Sequence, residues 1–359
     1  MKYLHIFPNE KFTEPYIEFI NKNFNSKDHL FFIIGKGIGT KITLRDNVKK
    51  LSKDFKSIIC LFKNMYKCEK IFLHGLFFPQ ILILFMQPWL LKKSNWIIWG
   101  GDLYYYKFRK KNFKSNIYEY IRRQVIKRIG GITALTPGDC NIAKKWYKIK
   151  AKEYFGMYIN PVKKEFLDKI EIIKKDEIYI QIGNSADPAN NHFEILDMLE
   201  KFKNENIKIF APLSYGDKQY ALKVKQYGEE KFGDKFIAML EFLSPEKYSK
   251  YLGSIDILVF NHKRQQGLFN IFSLAYLGKK IYIRNDITSW SYLKKDLGLD
   301  IYSTLKIKEE SFNDFKLFTN QEINRKRTKK LFEDKYIKGV WLNIFNEMEE
   351  KDENINSHR

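Results

Sequence analysis

The stretch IYIQIGNSADPANNHFEIL, Ile178 to Leu196, constrains the fold of this chain more than any other. An apolar run, Ile178 to Ile182, stops at Gly183, small polar residues follow, and an apolar-periodic segment opens at Phe193. That order reads as strand, loop, helix. In a parallel α/β sheet the loop at the carboxyl end of a strand faces the crevice where ligands bind. The helix behind it offers unpaired N–H groups and the positive end of its dipole to an anion. Gly183, Asn184, Ser185, Asp187, Asn190 and Asn191 would line such a site. Read locally, the same stretch is an ordinary strand-to-helix loop capped by Asn190 or Asn191, because Asn and Asp are preferred there for purely local reasons.

The first half repeats the alternation. Tyr3 to Phe7 reads as a strand ended by Pro8, Tyr16 to Phe24 as a helical stripe, Leu30 to Gly35 as an apolar strand, Phe55 to Met65 as a helix and Lys70 to Gly75 as another strand. His74 and Gly75 therefore fall at a strand end, although a lone His there is as readily a structural hydrogen-bonder. Phe77 to Leu91 is the most apolar segment, shorter than the roughly 20 residues a bilayer span needs. Bracketed by Pro79 and Pro88, it reads as a buried or interfacial helix. Trp96 to Trp99 reads as a strand, followed by the Gly100-Gly101 turn and Asp102. A carboxylate there suits a general base or sugar hydroxyls, and equally a helix cap. From Leu103 to Arg128 basic residues interleave with Tyr and Phe. Lys107, Arg109, Lys110, Lys111, Arg122 and Arg123 would meet anionic headgroups, with rings at the interface. The alternatives for that segment are RNA and a solvated helix face.

Lys148 to Asp176 is the boundary, and a second α/β series begins after it. Ile207 to Pro212 reads as a strand leading into Tyr215, and SPEKY from Ser244 as a helix start with Pro245 at the first helical position. Ile255 to Phe260 reads as a strand that delivers Asn261, His262, Lys263, Arg264, Gln265, Gln266 and Gly267 into one loop. Such a loop before a helix N-terminus is chemically a diphosphate and hydroxyl site. The expected organisation is an acceptor- and membrane-side Rossmann-like domain over 1–160, a donor-nucleotide domain over 161–335, and a C-terminal helix and polar tail over 336–359. Two such α/β domains facing a cleft are the GT-B-type glycosyltransferase layout.

Composition sets outer limits. The 359 residues carry 64 Lys and Arg against 42 Asp and Glu, a net charge of +22 that favours phosphorylated or membrane partners. Cys60, Cys68 and Cys140 make no CxxC pair and no metal-ligand spacing with His, so neither disulfides nor zinc are expected. The start lacks a secretory h-region, which points to a reducing, cytoplasmic compartment. There is no GxxxxGK[ST], GxGxxG, HExxH or GxSxG motif.

FLHGLFFP (Phe72 to Pro79), WIIWGGDLY (Trp96 to Tyr104), IGNSADPANNH (Ile182 to His192) and RQQG (Arg264 to Gly267) resemble, in order and spacing, the bacterial 4-acetamido-4,6-dideoxygalactose transferases of enterobacterial common antigen synthesis. The likeness runs from about residue 70 to 300. It implies a metal-independent GT-B fold with no cofactor, a dTDP-sugar as co-substrate, an undecaprenyl-diphosphate-linked acceptor and peripheral attachment to the cytoplasmic face of the inner membrane. Nucleic acid is not an expected partner. By matching position, Gly183, Asn184, Ser185, Asp187, Asn191, Gln265, Gln266 and Gly267 would hold the donor, with Tyr215 and Asn270 beside them. Gly75, Gly100 and Gly101 would lie on the acceptor side. Arg264 would stabilise the leaving diphosphate, and Asp102 or His74 would take the acceptor proton. Leu268, Phe269 and Asn270 stand where the family tends to smaller residues, which leaves the sugar open. Other readings are a GT-B transferase with a different donor and acceptor, a nucleotide-sugar hydrolase or epimerase, or a non-catalytic protein binding RNA or anionic lipid.

Overall fold

The computed structural model describes residues 1–35, 41–52, 54–171 and 175–356. The chain forms two compact units, one of Met1–Ile159 with Asp334–Arg359, the other of Asn160–Glu333.

The first unit is built on a parallel sheet of β1 (Tyr3–Pro8), β2 (His29–Ile34), β3 (Val48–Lys50), β4 (Lys70–His74), β5 (Ser94–Ile98), β6 (Gly131–Ala134) and β7 (Lys152–Phe155), in the order β3-β2-β1-β4-β5-β6-β7. Its central strands are apolar on both faces, as a sheet covered on both sides requires: Leu4, Ile6, Phe7, Phe31, Phe32, Ile71, Phe72, Leu73, Trp96 and Ile97 are all buried. The chain steps outward from β1 to β3 and returns on the other side at β4. The topological switch point therefore lies between β1 and β4, which pair from Tyr3↔Lys70 to Ile6↔Leu73.

The C-terminal helix Asp334–Asn356 belongs to this unit rather than standing apart from it. Trp341 is fully buried and donates Nε1–H to the Met157 carbonyl at 2.7 Å, and Phe345 stacks on Tyr3 at 4.6 Å. Glu349 accepts from Lys2 Nζ at 2.8 Å and Tyr3 Oη at 2.6 Å, so the two chain ends are tied together. The helix also runs further than the polar composition of its end suggests, and residues 357–359 lie outside the described residues. The apolar segment after β4 is not one helix: Gln80–Met86 is helical, and Pro88 opens a separate 3-10 turn, Pro88–Lys93. Proline has no N–H to continue the helical ladder.

The second unit repeats the topology with β8 (Ile178–Ile182), β9 (Ile207–Pro212), β10 (Phe236–Met239), β11 (Ile257–Phe260), β12 (Lys280–Ile283) and β13 (Tyr302–Ser303), in the order β10-β9-β8-β11-β12-β13, all parallel. Here the switch point falls between β8 and β11. Ile180, Ile182, Ile209, Val259 and Tyr282 fill the core beneath it. The sequence marks neither β3 nor β13, because both are short edge strands, of three and two residues, without an apolar run.

Candidate functional site

The loops after β8 and β11 are the two that leave the switch point of the second unit. Gly183 ends β8 at φ +60°, and a Cβ there would sit 2.2 Å from His192 Nε2 and 2.9 Å from Asn190 Oδ1, so glycine is required both by conformation and by space. Asn190 organises the loop: its Oδ1 accepts the Asn184 N–H at 2.8 Å, and its Nδ2 donates to the Asp187 carbonyl at 2.9 Å and Ser185 Oγ at 3.2 Å. Asn191 takes the left-handed conformation, φ 59°, at the start of the helix His192–Leu199; its amide bonds Glu194 and makes no cap to the backbone.

The two loops are laced directly to each other. Arg264 Nη2 reaches Asp187 Oδ2 at 2.6 Å, Gln266 Nε2 reaches Asn184 Oδ1 at 3.0 Å and Ser185 Oγ at 3.3 Å, and the Lys263 N–H donates to the Ala189 carbonyl at 2.9 Å. The loop after β9 joins them, since Ala186 N–H donates to the Tyr215 carbonyl at 2.8 Å and Asn184 Nδ2 to Tyr215 Oη at 2.9 Å. Gly267, at φ +69°, turns the second loop into the helix Leu268–Tyr276, and Asn270 on its first turn accepts from Tyr248 Oη at 3.1 Å. Gln265 is buried, and its carbonyl accepts from Arg264 Nη1 at 3.2 Å. Asn184, Ser185, Asp187, Tyr215 and Gln266, all expected on the donor side from the sequence, thus meet in one laced arrangement between the Gly183 and Gly267 turns, whereas the Asn191, Gln265 and Asn270 side chains take no part in it. Two helix N-termini, after Asn191 and after Gly267, adjoin it and favour an anion. Both arginines here are already paired: Arg264 with Asp187, and Arg284 with Asp286, each at 2.6 Å.

In the first unit the structure corrects the expected base. Asp102 is 1% exposed, and its carboxylate accepts the Trp96 indole N–H at 2.6 Å, the Leu76 N–H at 2.9 Å and the Trp99 N–H at 3.0 Å. With its lone pairs committed to donors that tie the loop after β4 to β5, it is a structural hub and not a proton acceptor for a ligand. His74 is likewise fully buried. Its Nε2 meets His5 Nδ1 at 3.0 Å, its Nδ1 meets Tyr158 Oη at 2.5 Å, and His5 Nε2 meets His29 Nδ1 at 3.0 Å. Burial pushes the His5 and His74 pKa values well below the ordinary imidazole range and that of His29 down to about 4. Gly75 and Gly100 adopt positive φ at the same end of the sheet, and Gly101 opens the helix Gly101–Phe108.

Glu10, which sequence reasoning passed over, lies in the loop after β1 at the switch point of this unit. It is partly exposed, and desolvation raises its carboxyl pKa against the opposing charge of Lys11. Its only sequence signal was its place just beyond the first strand. His192 was given no role either, and His262 was read only as one of the polar residues of its loop, since single histidines carry no spacing signal.

The basic segment divides into two groups. Lys107, Lys110 and Lys111 are exposed, as are Phe113, Ile117 and Tyr120 along one face of the helix Phe113–Ile126. Arg122, expected to face lipid, is buried instead and donates to the carbonyls of Asp102 at 2.6 Å and Leu76 at 2.9 Å. Arg123 bonds the Trp146 carbonyl at 2.6 Å and Arg109 the Tyr106 carbonyl at 2.5 Å, so these guanidiniums brace the unit through backbone oxygens. No helix among the described residues is long and apolar enough to cross a membrane.

Residues 40–349 match the profile of the family described as 4-alpha-L-fucosyltransferase, glycosyl transferase group 56. Among solved structures the chain is similar to a glycosyltransferase from Rickettsia africae, at 14% identity and TM-score 0.62, over 97% of this chain and 98% of that one. It is also similar to an α,α-trehalose 6-phosphate synthase from Burkholderia multivorans, at 8% identity and TM-score 0.68, over 100% and 99%. A sucrose-phosphate synthase from Thermosynechococcus elongatus matches at 8% identity and TM-score 0.70, over 97% and 99%. At these identities the likeness establishes the GT-B fold.

Proposed function

The chain belongs to the 4-alpha-L-fucosyltransferase family, glycosyl transferase group 56, and from that premise we propose that it moves a 4-acetamido-4,6-dideoxygalactose-like sugar from a dTDP-sugar to an undecaprenyl-diphosphate-linked saccharide. The observation that carries this reading is the lacing of the Gly183 and Gly267 loops through Asp187–Arg264 and Asn184–Gln266 at the switch point of the second unit. That arrangement sets two helix N-termini and a guanidinium held in place by its carboxylate beside one another. Together they stabilise the charge that develops on a leaving diphosphate, with no metal or cofactor taking part.

Proton removal from the acceptor hydroxyl falls to Glu10. A carboxylate at a strand end whose pKa is raised by desolvation is a stronger base than an ordinary one. Attachment to the inner face of the cytoplasmic membrane is ascribed to Phe113, Ile117 and Tyr120 with the neighbouring Lys107, Lys110 and Lys111. Cations on phosphates and rings at the interface are the chemistry of peripheral binding. Phe85, Met86 and Trp89 extend the exposed apolar surface, and the helix Phe113–Ile126 meets this segment through Tyr118, 6.3 Å from Phe78.

The test is a thermal-shift series of dTDP, UDP and GDP with the intact protein, followed by transfer to a lipid-diphosphate saccharide with and without EDTA. A ligand that binds only the folded state raises the midpoint. Stabilisation by dTDP above the others, with EDTA-resistant transfer, is the expected result; indifference to every nucleotide defeats the donor site.

A further inference from the structure

His262 and Gln266 sit on the same loop, and each leaves a buried polar atom without a partner among the described residues: Nε2 of His262 and Oε1 of Gln266. The chemistry of both atoms is set by what holds the other end of each side chain. His262 Nδ1 faces the Gln266 carbonyl at 3.3 Å, and a carbonyl only accepts, so Nδ1 carries the proton. In the neutral ring Nε2 is then a bare lone pair. Desolvation keeps the ring neutral, lowering its pKa to about 3, and Phe260 stacks on it at 4.2 Å to hold its plane. Gln266 donates its Nε2 hydrogens to Asn184 Oδ1 and Ser185 Oγ, which fixes the amide orientation and leaves Oε1 as an acceptor.

Both atoms belong to the laced loops. A Cβ on Gly267 would lie 3.3 Å from the His262 ring carbon Cε1 and 3.4 Å from Asn184 Cγ, so the imidazole, the glycine turn and the first loop converge. A diphosphate offers acceptors only, and two acceptors cannot bind it. Asn261 Nδ2, also unpartnered, adds a donor at the start of the same loop.

We propose that His262 Nε2 and Gln266 Oε1 form a specificity pair that reads an N–H or O–H donor of the nucleotide sugar, apart from its diphosphate. This rests on the proposed donor site and refines it, assigning Gln266 to a neutral group of the ligand and leaving the anion to the helix N-termini and Arg264. Three parts of a dTDP-sugar carry such donors: the base imide N–H, the deoxyribose 3′-hydroxyl, and the hydroxyl or acetamido groups of the transferred sugar.

Calorimetric titration of the full chain with dTDP, dTDP-glucose and inorganic pyrophosphate tests the pair, comparing wild type with His262→Phe, which keeps the stack on Phe260 and removes both ring nitrogens. The expected loss is about tenfold in affinity, the size of one hydrogen bond to a buried acceptor, with pyrophosphate binding unchanged. A loss shared by dTDP and dTDP-glucose places the reading on the nucleoside, and a loss confined to dTDP-glucose places it on the transferred sugar. Wild-type affinity for both nucleotides in a folded His262→Phe protein overturns the proposal, as does an equal loss for pyrophosphate. Failure of the wild-type protein to bind any of the three defeats the donor site itself. His262→Leu, which likewise lacks the ring acceptor, gives the same readout should His262→Phe not fold.

Discussion

Asp187 and Arg264 stand 2.6 Å apart across 77 residues of chain, and their ion pair joins the loops that leave the two strands flanking the switch point of the second unit. The guanidinium is 12% exposed, so the pair is screened less than a surface one. Its orientation is set before any ligand arrives.

Replacing Arg264 by Ala should lower kcat/KM for transfer by about 10²-fold, the scale on which one preorganised group aimed at developing charge acts. Asp187→Asn should cost less, since the cation remains and only its aim is loosened. The double variant should depart from additivity by about 0.5–3 kcal/mol, as contacting groups do. Steady-state kinetics of the cycle check this, and near wild-type turnover in Arg264→Ala removes the diphosphate role.

Asp102 and Glu10 separate by what their amides do. Asp102→Asn places an NH₂ against donors now satisfied by a carboxylate, at a cost of about 1–3 kcal/mol, read as a lowered melting midpoint with turnover per folded molecule largely retained. Glu10→Gln should leave the midpoint close to wild type and lower kcat by about 10²-fold or more, with donor KM unchanged. In the wild type, activity should rise with pH through a Glu10 pKa above the ordinary carboxylate value. A stable but inactive Asp102→Asn protein would restore the original base.

Acid should destabilise the fold through histidines held neutral. His5, His29, His74, His192 and His262 all have pKa values lowered by burial, to about 4 for His29 and His192 and about 3 for His262. Their folded pKa lies below the unfolded value near 6.5, so between those values the unfolded chain binds more protons. Stability is fully present above about pH 6.5 and is drawn down as pH falls toward the folded values, by up to about 1.4 kcal/mol per histidine per pH unit. Denaturant midpoints at pH 7.5 and pH 5 check the sign; an unchanged midpoint contradicts it.

Charge reversal of Lys107, Lys110 and Lys111 to Glu should weaken binding to anionic vesicles by roughly 1 kcal/mol per charge removed, more steeply at low salt. Ile117→Ser should weaken it at all salt concentrations. Arg122→Ala should instead lower the melting midpoint, because Arg122 holds backbone carbonyls and not phosphates. Co-sedimentation with vesicles containing phosphatidylglycerol separates these outcomes.

The two-unit α/β design was legible in the residues because parallel strands covered on both faces must be apolar runs, and because their ends are marked by glycines that a side chain would obstruct. Gly183 and Gly267 announced both laced loops in this way. That the loops after Ile182 and Phe260 leave the sheet at the same end was legible for the same reason: the carboxyl end of a strand fixes where a loop points whatever surrounds it. The edge strands Val48–Lys50 and Tyr302–Ser303 were not, since pairing with a neighbour, and not composition, makes them strands.

What the sequence determined by itself is therefore local: strand, glycine, polar loop, helix, repeated through two units. Only the tertiary structure decided which polar side chains are committed inward. Asp102 and His74 stood open between site chemistry and a structural role, and Arg122 read as facing lipid, because a carboxylate, an imidazole or a guanidinium in a loop or basic run carries no local mark of burial. Burial of all three became tolerable once Trp96, Tyr158 and the Leu76 carbonyl arrived from elsewhere in the chain to satisfy them. The same long-range packing left Glu10 at a strand end and gave His262 and Gln266 bare acceptors. Hydrogen-bond satisfaction is a property of neighbours in space, which no spacing along the chain encodes.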